Sequence, residues 1–145
     1  SLKSILGETR LRGEYLFGKQ HGGSSGSKSP NASVLPATDV FIRQFSGGYV
    51  ILVQDLGKLP LAAVLKYDWY DPNTRVSKND IGLNNTAKGD VAQNTFGFGM
   101  LWNINASLRL QAYYEINRNE KTENLTAYKE DRKDNVFTLR MQYKF

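Results

Sequence analysis

The sequence predicts an all-β protein, an antiparallel up-and-down sheet that forms part of a transmembrane β-barrel. Its last stretch, from Phe137 to Phe145, alternates large apolar and polar residues without exception. Several other stretches alternate in the same way, and short and long connections between them follow one another alternately along the chain. Because successive side chains of a strand point to opposite faces, each strand has one apolar and one polar face. Short turns on one rim and long loops on the other are typical of outer-membrane barrels.

Composition excludes several other classes. The 145 residues are expected to form one domain, 1–145, and 40% of them are hydrophobic. No apolar run approaches the roughly 18 to 20 residues that a membrane-spanning helix needs. The absence of cysteine excludes disulfides and thiolate metal sites. The formal net charge of +5 is not gathered into a basic cluster or a nucleic-acid motif, so we expect no nucleic-acid partner.

The first strand is predicted near residues 8–18. The stretch from 21 to 37 then has no periodicity and is rich in Gly, Ser, Pro and Asn, so it predicts a long loop. In the strand, the apolar side chains Leu11, Tyr15 and Phe17 alternate with the charged side chains Arg10, Arg12 and Glu14.

The second and third strands are predicted near 47–55 and 60–70. The second is rich in β-branched residues and apolar on both faces. Gly57 and Pro60 mark the short turn between the two strands. On the third strand, Lys66 and Asp68 occupy the polar face, and the apolar face consists of Leu61, Ala63, Leu65, Tyr67 and Trp69.

The last three strands are predicted near 94–103, 106–117 and 135–145. A tight turn at 103–106 joins the first two of these as a hairpin. Tyr113 and Tyr114 are adjacent and therefore face opposite ways. The connections at 71–93 and 117–134 are polar, and both are predicted to be long loops.

Six strands are fewer than the eight or so that a closed bacterial barrel needs at minimum. An open sheet would leave unpaired backbone groups in hydrocarbon. We therefore expect these strands to be the C-terminal part of a longer chain, or to complete a barrel with other strands. With the C-terminus in the periplasm, the short turns also face the periplasm and the long loops face outward, with aromatic residues near both rims.

Four segments, taken in order, resemble the C-terminal portion of the phosphate-selective porins O and P, especially their Bacteroidetes members. They are Arg12–Tyr15 with Gly18–Gln20, Arg43–Tyr49, Tyr67–Thr74 and Thr138–Phe145. The resemblance implies an outer-membrane barrel of about sixteen strands, often a homotrimer, that passes small anionic solutes such as phosphate. It also implies that Tyr143 and Phe145 form the signal that the barrel-assembly machinery reads.

The polar faces of the predicted strands are interpreted as a pore wall. Basic groups outnumber acidic ones there, and fixed cationic side chains lower the free energy of an anion in a channel of low dielectric constant. The alternative is that acids and bases pair across neighbouring strands and only keep the lumen wet. The predicted pore-lining residues are Arg10, Arg12, Glu14, Lys66, Asp68, Arg109, Glu115, Arg140 and Lys144.

Asp68, Asp71 and Asn73, with Asp80 farther along, offer oxygen ligands that suit calcium. Their spacing matches no EF-hand loop, and an Asp-Pro-Asn-Thr segment is also typical of a plain turn. We assign no metal and retain the first three as a calcium candidate. The only histidine, His21, lies in a Gly/Ser-rich segment that cannot position a general base, so we predict neither an enzyme nor a cofactor.

The sequence thus predicts an outer-membrane porin, in contact with membrane lipid, that conducts small polar and mainly anionic solutes by passive diffusion. Two alternatives remain open. A non-conducting barrel could serve only to display loops, as in adhesion. A soluble β-barrel could line its interior with Leu108, Leu110, Phe98, Leu139 and Met141 and bind a lipid or another apolar ligand.

Overall fold

A computed structural model describes residues 2–5, 7–23, 26–27 and 41–145 of the chain. Six long strands dominate these ranges, and two short strands flank the first of them. Three single turns of 3₁₀ helix lie in the connections, at Lys78–Asp80, Lys88–Asp90 and Thr126–Tyr128. The strands are β1 (Leu2–Ser4), β2 (Gly7–Gly23), β3 (Gly26–Ser27), β4 (Phe41–Asp55), β5 (Leu61–Asp71), β6 (Gln93–Asn103), β7 (Leu108–Asn119) and β8 (Val136–Tyr143).

All strand pairs are antiparallel, and the long strands follow one another in chain order across a single sheet. β3 pairs only with the end of β2 and lies off this path. Short connections lie at one rim, between β4 and β5 and between β6 and β7, and long connections lie at the other. The predicted all-β, up-and-down arrangement of six long strands is therefore confirmed.

Several predicted strand ends are wrong by a few residues. β2 continues to Gly23 and β4 begins at Phe41, because Lys19 to Gly22 pair with Gln44 to Phe41 through the backbone. Backbone hydrogen bonds need no apolar periodicity, so the sequence pattern missed this extension. The last strand ends at Tyr143, two residues before the predicted end. Within the predicted loop at 21–37, residues 24–25 and 28–37 lie outside the described residues.

The sheet does not close on itself within the part of the chain that the structure describes. β8 pairs with β7 alone, and β1 pairs with β2 alone. Among the described residues, no helix is long and apolar enough to cross a lipid bilayer.

The register places the alternating side chains on two chemically different faces. One row of paired residues crosses six strands and is apolar throughout: Leu11, Leu52, Leu65, Phe98, Tyr114 and Phe137. The neighbouring row on the opposite face contains Arg12, Ile51, Lys66, Gly97, Glu115 and Val136. These two surfaces are called the apolar face and the polar face.

A hollow of about 710 Å³ on the polar face indicates that the sheet curls toward this face. Residues of five neighbouring strands, from Arg10 on β2 to Arg109 on β7, border the hollow together with Gly57, Leu59 and Pro60 of the short turn. A flat sheet would spread side chains from five strands over a distance too great to enclose a single hollow. The polar face is therefore concave and the apolar face convex.

The apolar face is not covered by any described part of the chain. Phe17 is 76% exposed, Met141 70% and Leu139 63%. The buried apolar side chains among the described residues are Ala62, Ile81 and Val91, and two of these three lie in a loop instead of the sheet. The sheet therefore has no hydrophobic core on its apolar side.

The long loops predicted at 71–93 and 117–134 occupy residues 72–92 and 120–135 in the structure, and they pack on each other. Ile81 is fully buried, and its carbonyl accepts a hydrogen bond of 2.8 Å from Oγ1 of Thr122. The side-chain amide of Asn124 donates to the same carbonyl at 3.1 Å. The Lys78 backbone amide donates to the Glu120 carboxylate at 2.7 Å. Both connections are thus long loops, as predicted, and hydrogen bonds from side-chain amides and hydroxyls to the backbone give them a defined packing.

Candidate functional site

The concave polar face brings together the charged residues that the sequence singled out. Alternation and register place eight of the nine on this face, and the ninth, Lys144, follows β8 directly. The Lys144 backbone amide donates to the Ser107 carbonyl at 2.8 Å, and its side chain borders a small hollow that Arg109 also lines. The predicted grouping of these residues on one face of the sheet therefore agrees with the geometry.

Some of these charges are paired and others are not. Arg10 contacts Asp55 across β2 and β4 at 2.7 Å, and Lys66 contacts Asp68 on its own strand at 2.7 Å. Within the described residues, Glu14 and Glu115 form no ion pair, and Arg109 donates to the Asn103 side-chain oxygen at 2.8 Å. Pairing across neighbouring strands therefore neutralises only part of the wall.

Tyr113 lies across two glycines of the polar face. Any Cβ atom added at Gly97 or Gly99 would overlap the Tyr113 side chain. Its hydroxyl oxygen is buried and has no hydrogen-bond partner among the described residues. The glycines therefore provide space for a tyrosine ring lying flat on the polar face. Tyr114 projects from the apolar face, so the two tyrosines face opposite ways, as predicted.

A buried clamp fixes the loop 72–92 to the loop end of the polar face. Arg43, on β4, donates from Nε and Nη2 to both carboxylate oxygens of Asp90, the second contact being 3.1 Å. Its Nη1 donates to the Gly22 carbonyl at 2.7 Å. The Asn73 side chain and the Ala87 backbone amide also donate to Asp90, at 2.8 and 2.9 Å. Arg43 is 4% exposed and Asp90 is fully buried.

These hydrogen bonds determine the charge state of Asp90. Burial acts to raise the pKa of its carboxyl group, but hydrogen bonds from Arg43, Ala87 and Asn73 outweigh burial. The pKa therefore lies below the usual value for aspartate, and the group stays ionised at neutral pH. Because Arg43 belongs to the polar face, the clamp draws the loop toward the concave side of the sheet.

The sequence did not reveal this clamp. Arg43 and Asp90 are 47 positions apart, and no sequence motif links them. The only signal available was a charged residue, Arg43, among the large apolar residues Phe41, Ile42 and Phe45, since a charge that becomes buried needs a partner.

The calcium candidate is not assembled. Asp68 lies on the polar face and is bound to Lys66, while Asp71 pairs with Ser46 on the opposite face. Asp71 accepts a hydrogen bond from the Asn73 backbone amide at 2.9 Å, and the Asn73 side chain belongs to the clamp. No group of three acidic, histidine or cysteine side chains that could hold a metal occurs in the described ranges.

Aromatic side chains gather near both rims of the apolar face. Near the long loops, the ring centroids of Tyr15 and Trp69 are 6.3 Å apart, and those of Tyr67 and Trp69 are 5.8 Å apart. Near the short turns, the rings of Tyr143 and Phe145 are 5.6 Å apart. Both residues of this C-terminal pair are exposed.

The apolar band crosses the sheet obliquely. Starting from the row that contains Leu11 and Phe137, it extends toward the loops on β2, as far as Phe17, and toward the short turns on β8, as far as Phe145. The centre of the apolar band is thus displaced by about 1.4 residues from each strand to the next. With a rise of about 3.3 Å per residue and a strand spacing of about 4.8 Å, this displacement corresponds to a strand tilt of about 45°. Strands of membrane barrels are tilted by about 35–45°.

Comparisons with protein-family models, with curated proteins and with solved structures find no match for this chain. Its function is therefore inferred from its own residues.

Proposed function

We propose that this chain forms part of the wall of an outer-membrane porin, a water-filled channel through which small polar and mainly anionic solutes, phosphate among them, diffuse passively. The resemblance of four segments to phosphate-selective porins O and P supports the same assignment. In this proposal the bacterial outer membrane is the location, its lipid covers the apolar face, and further strands complete the cylinder.

One observation carries the proposal, namely that the convex face is apolar and exposed while the concave face is charged. A water-soluble barrel has the opposite arrangement, because its apolar side chains fill the interior. A membrane barrel places apolar side chains toward lipid and polar ones toward its lumen. The oblique band supports this orientation. In a sheet whose strands are tilted, side chains at the same depth in the bilayer belong to different rows of paired residues, so the lipid-facing band crosses the rows obliquely.

Selectivity in the proposed channel comes from fixed charges on the concave wall. Arg12, Arg109 and Arg140 carry guanidinium groups that can bind phosphate or carboxylate in a bidentate manner. The clamped loop 72–92 narrows the loop-side mouth in this proposal. Tyr143 and Phe145 are the proposed signal for the barrel-assembly machinery, and a homotrimer is the proposed assembly.

Conductance in planar bilayers tests the proposal. The protein, extracted in detergent from the envelope of its host, is expected to give stepwise openings and a reversal potential in a KCl gradient that indicates preference for chloride. A preference for potassium would contradict the proposed selectivity. A protein that stays monodisperse without detergent and never enters a bilayer would contradict the porin itself.

A second function, a non-conducting barrel that displays its loops, is favoured by the packing of 72–92 against 120–135. Buried contacts such as Ile81 with Thr122 give the loops a defined surface, which a simple pore does not require. Stable membrane insertion without any conductance would support this second function over the porin.

A further inference from the structure

The hollow of about 710 Å³ on the polar face has an apolar floor. Four apolar side chains that border it project from the polar face of three neighbouring strands. They are Ile51 and Val53 on β4, Ala62 on β5 and Leu101 on β6. A hollow of this size falls within the range of about 300–1,000 Å³ that is usual for sites that bind small molecules.

The floor residues are neighbours in the register and form one continuous surface. Ala62 pairs directly with Leu101, and Val53 is the diagonal neighbour of Ala62. Ile51 and Val53 are alternate residues of one strand and therefore share a face. Ala62 is buried and the other three are half-buried, so part of their apolar surface is accessible from the hollow. At a strand spacing of about 4.8 Å, the floor is about 10 Å wide.

Arginines border this floor on both sides. Arg10 and Arg12 lie on β2 at one side, and Arg109 lies on β7 at the other. Among the described residues that border the hollow, the only carboxylate is Asp55, and it is bound to Arg10 at 2.7 Å. Three arginines and one aspartate leave a net charge of +2 around the hollow.

Arg12 is the arginine best placed to bind an anion beside the floor. It is exposed, it pairs with Ile51 in the register, and it forms no hydrogen bond or ion pair with any described side chain. Glu14 lies two residues farther along β2 but does not border the hollow. Arg109, at the far side, donates to the Asn103 side-chain oxygen at 2.8 Å.

An apolar floor and a free guanidinium group favour different parts of one ligand. The guanidinium group binds a carboxylate through two parallel hydrogen bonds. The apolar side chains stabilise a hydrocarbon body, which loses contact with water when it lies on them. Inorganic phosphate has no such body, and contact with an apolar surface would remove part of its hydration without compensation.

We propose that this hollow binds amphipathic organic monoanions, in which one carboxylate is attached to an aryl or alkyl body. Arg12 binds the carboxylate, and the body lies on Ile51 and Val53 and extends toward Leu101. This proposal rests on the proposed porin function and names the class of solute that the channel holds most strongly during passage.

Block of the channel current by added solutes tests the proposal. The probe is 3-phenylpropanoate, compared with acetate, phosphate and the neutral alcohol 3-phenylpropanol, in 1 M KCl, where the Debye length of about 3 Å limits electrostatic effects to direct contacts. We expect 3-phenylpropanoate to block at a concentration at least about tenfold lower than each of the other three. Tenfold corresponds to about 1.4 kcal/mol, which burial of about 55 Å² of apolar surface supplies.

Substitutions separate the two parts of the site. Arg12→Gln should raise the blocking concentration of 3-phenylpropanoate about tenfold, because a hydrogen-bonded charge is lost, and should leave that of 3-phenylpropanol unchanged. Ile51→Thr with Val53→Thr should weaken block by both phenyl compounds and leave that by acetate unchanged.

Two control variants lie outside the hollow. Lys58→Gln removes an exposed cation at the same rim, and Val136→Thr makes the same kind of change as the floor variant on the polar face of β8. Neither should change block by 3-phenylpropanoate. The comparison of the four solutes uses the parent protein, so it stands even where a variant fails to fold.

The outcomes distinguish this site from the porin function. Open channels that 3-phenylpropanoate blocks no better than acetate or phosphate would overturn the site and leave the porin standing, as would block that Arg12→Gln and the floor variant leave unchanged. Inserted protein without conductance would overturn the porin. Binding of radiolabelled 3-phenylpropanoate to the protein in lipid nanodiscs, measured against empty nanodiscs, then decides the site: binding that Arg12→Gln weakens supports it, and no binding overturns it.

Discussion

Arg43 and Asp90 are the two side chains on which the position of loop 72–92 depends. Each is almost fully buried, and together with Asn73, Ala87 and Gly22 they satisfy each other's hydrogen bonds. A buried ion pair contributes little net stability, because desolvation of the two charges offsets their attraction. Removal of one partner is destabilising, because it leaves the other charge buried without compensation. The clamp therefore defines the loop geometry more than it adds stability.

Arg43→Ala is expected to destabilise the docked loop by about 3–5 kcal/mol, because it leaves the Asp90 carboxylate buried and unpaired. Hydrogen exchange measured by mass spectrometry should show faster exchange in 72–92 and unchanged exchange in β6 and β7. The control is Arg75→Ala, which removes an exposed arginine that donates to the Gln44 side chain. The double variant Arg43→Met/Asp90→Leu should lose less than Arg43→Ala, and an equal or larger loss would contradict the clamp.

Acid should release the same loop. Because the pKa of Asp90 is lower in the folded protein than the value of about 3.9 for a free aspartate, its contribution to stability is fully present above about pH 4. The contribution is lost as the pH falls through the folded pKa, below that value. A spin label at Lys88→Cys should report loop motion only at such low pH. Asp90→Asn should remove this pH dependence, and an unchanged acid transition would exclude Asp90 as its cause.

At the scale of elements, the β6–β7 pair accommodates the large Tyr113 ring on the polar face of the sheet. Gly97 and Gly99 remove the side chains that would otherwise stand under Tyr113. Alternation alone predicted that Tyr113 would face the polar side, but not that two glycines of the neighbouring strand lie beneath its ring.

Gly97→Ala is expected to destabilise the β6–β7 pair by about 1–3 kcal/mol, because the new methyl group overlaps the Tyr113 ring. In a Tyr113→Ala background, Gly97→Ala should lower the free energy of unfolding much less than it does in the parent protein. Gly13→Ala is the control, since its Cβ would meet only the Tyr49 carbonyl at 3.2 Å and Val50 at 3.7 Å. Equal effects at the two glycines, measured by urea unfolding in detergent, would exclude the ring contact.

For the molecule as a whole, the important asymmetry is between the two faces of one sheet. Gln111 and Ala112 are neighbours on β7, both are half-buried, and they project from the polar and apolar faces respectively. Matched substitutions at Gln111 and Ala112 can therefore test which face of the sheet contacts lipid.

Ala112→Arg is expected to destabilise the protein folded in lipid vesicles by about 2–4 kcal/mol, the effect of an arginine near the bilayer midplane. Gln111→Arg should change stability little, because its side chain extends into the wet concavity. Urea titration of vesicle-folded protein measures both. A larger loss for Gln111→Arg would reverse the proposed orientation and favour a soluble barrel.

Much of the fold followed from the sequence, because alternation is a local property of an extended chain. Residues such as Phe137, Leu139 and Met141 occupy one face of β8 whatever lies beside them. Six strands, the two rims and the grouping of charged side chains on one face could therefore be predicted. Strand ends at Gly23 and Phe41 could not, since they depend on backbone pairing between distant segments.

The sequence by itself thus determined which side chains share a face and which connections are long. Only the tertiary structure decided that the sheet curls toward its charged face, that Arg43 meets Asp90, and that loops 72–92 and 120–135 pack together. The physical reason is separation along the chain: a period of two is set by neighbouring residues, whereas curvature, ion pairing and loop docking arise between segments tens of residues apart.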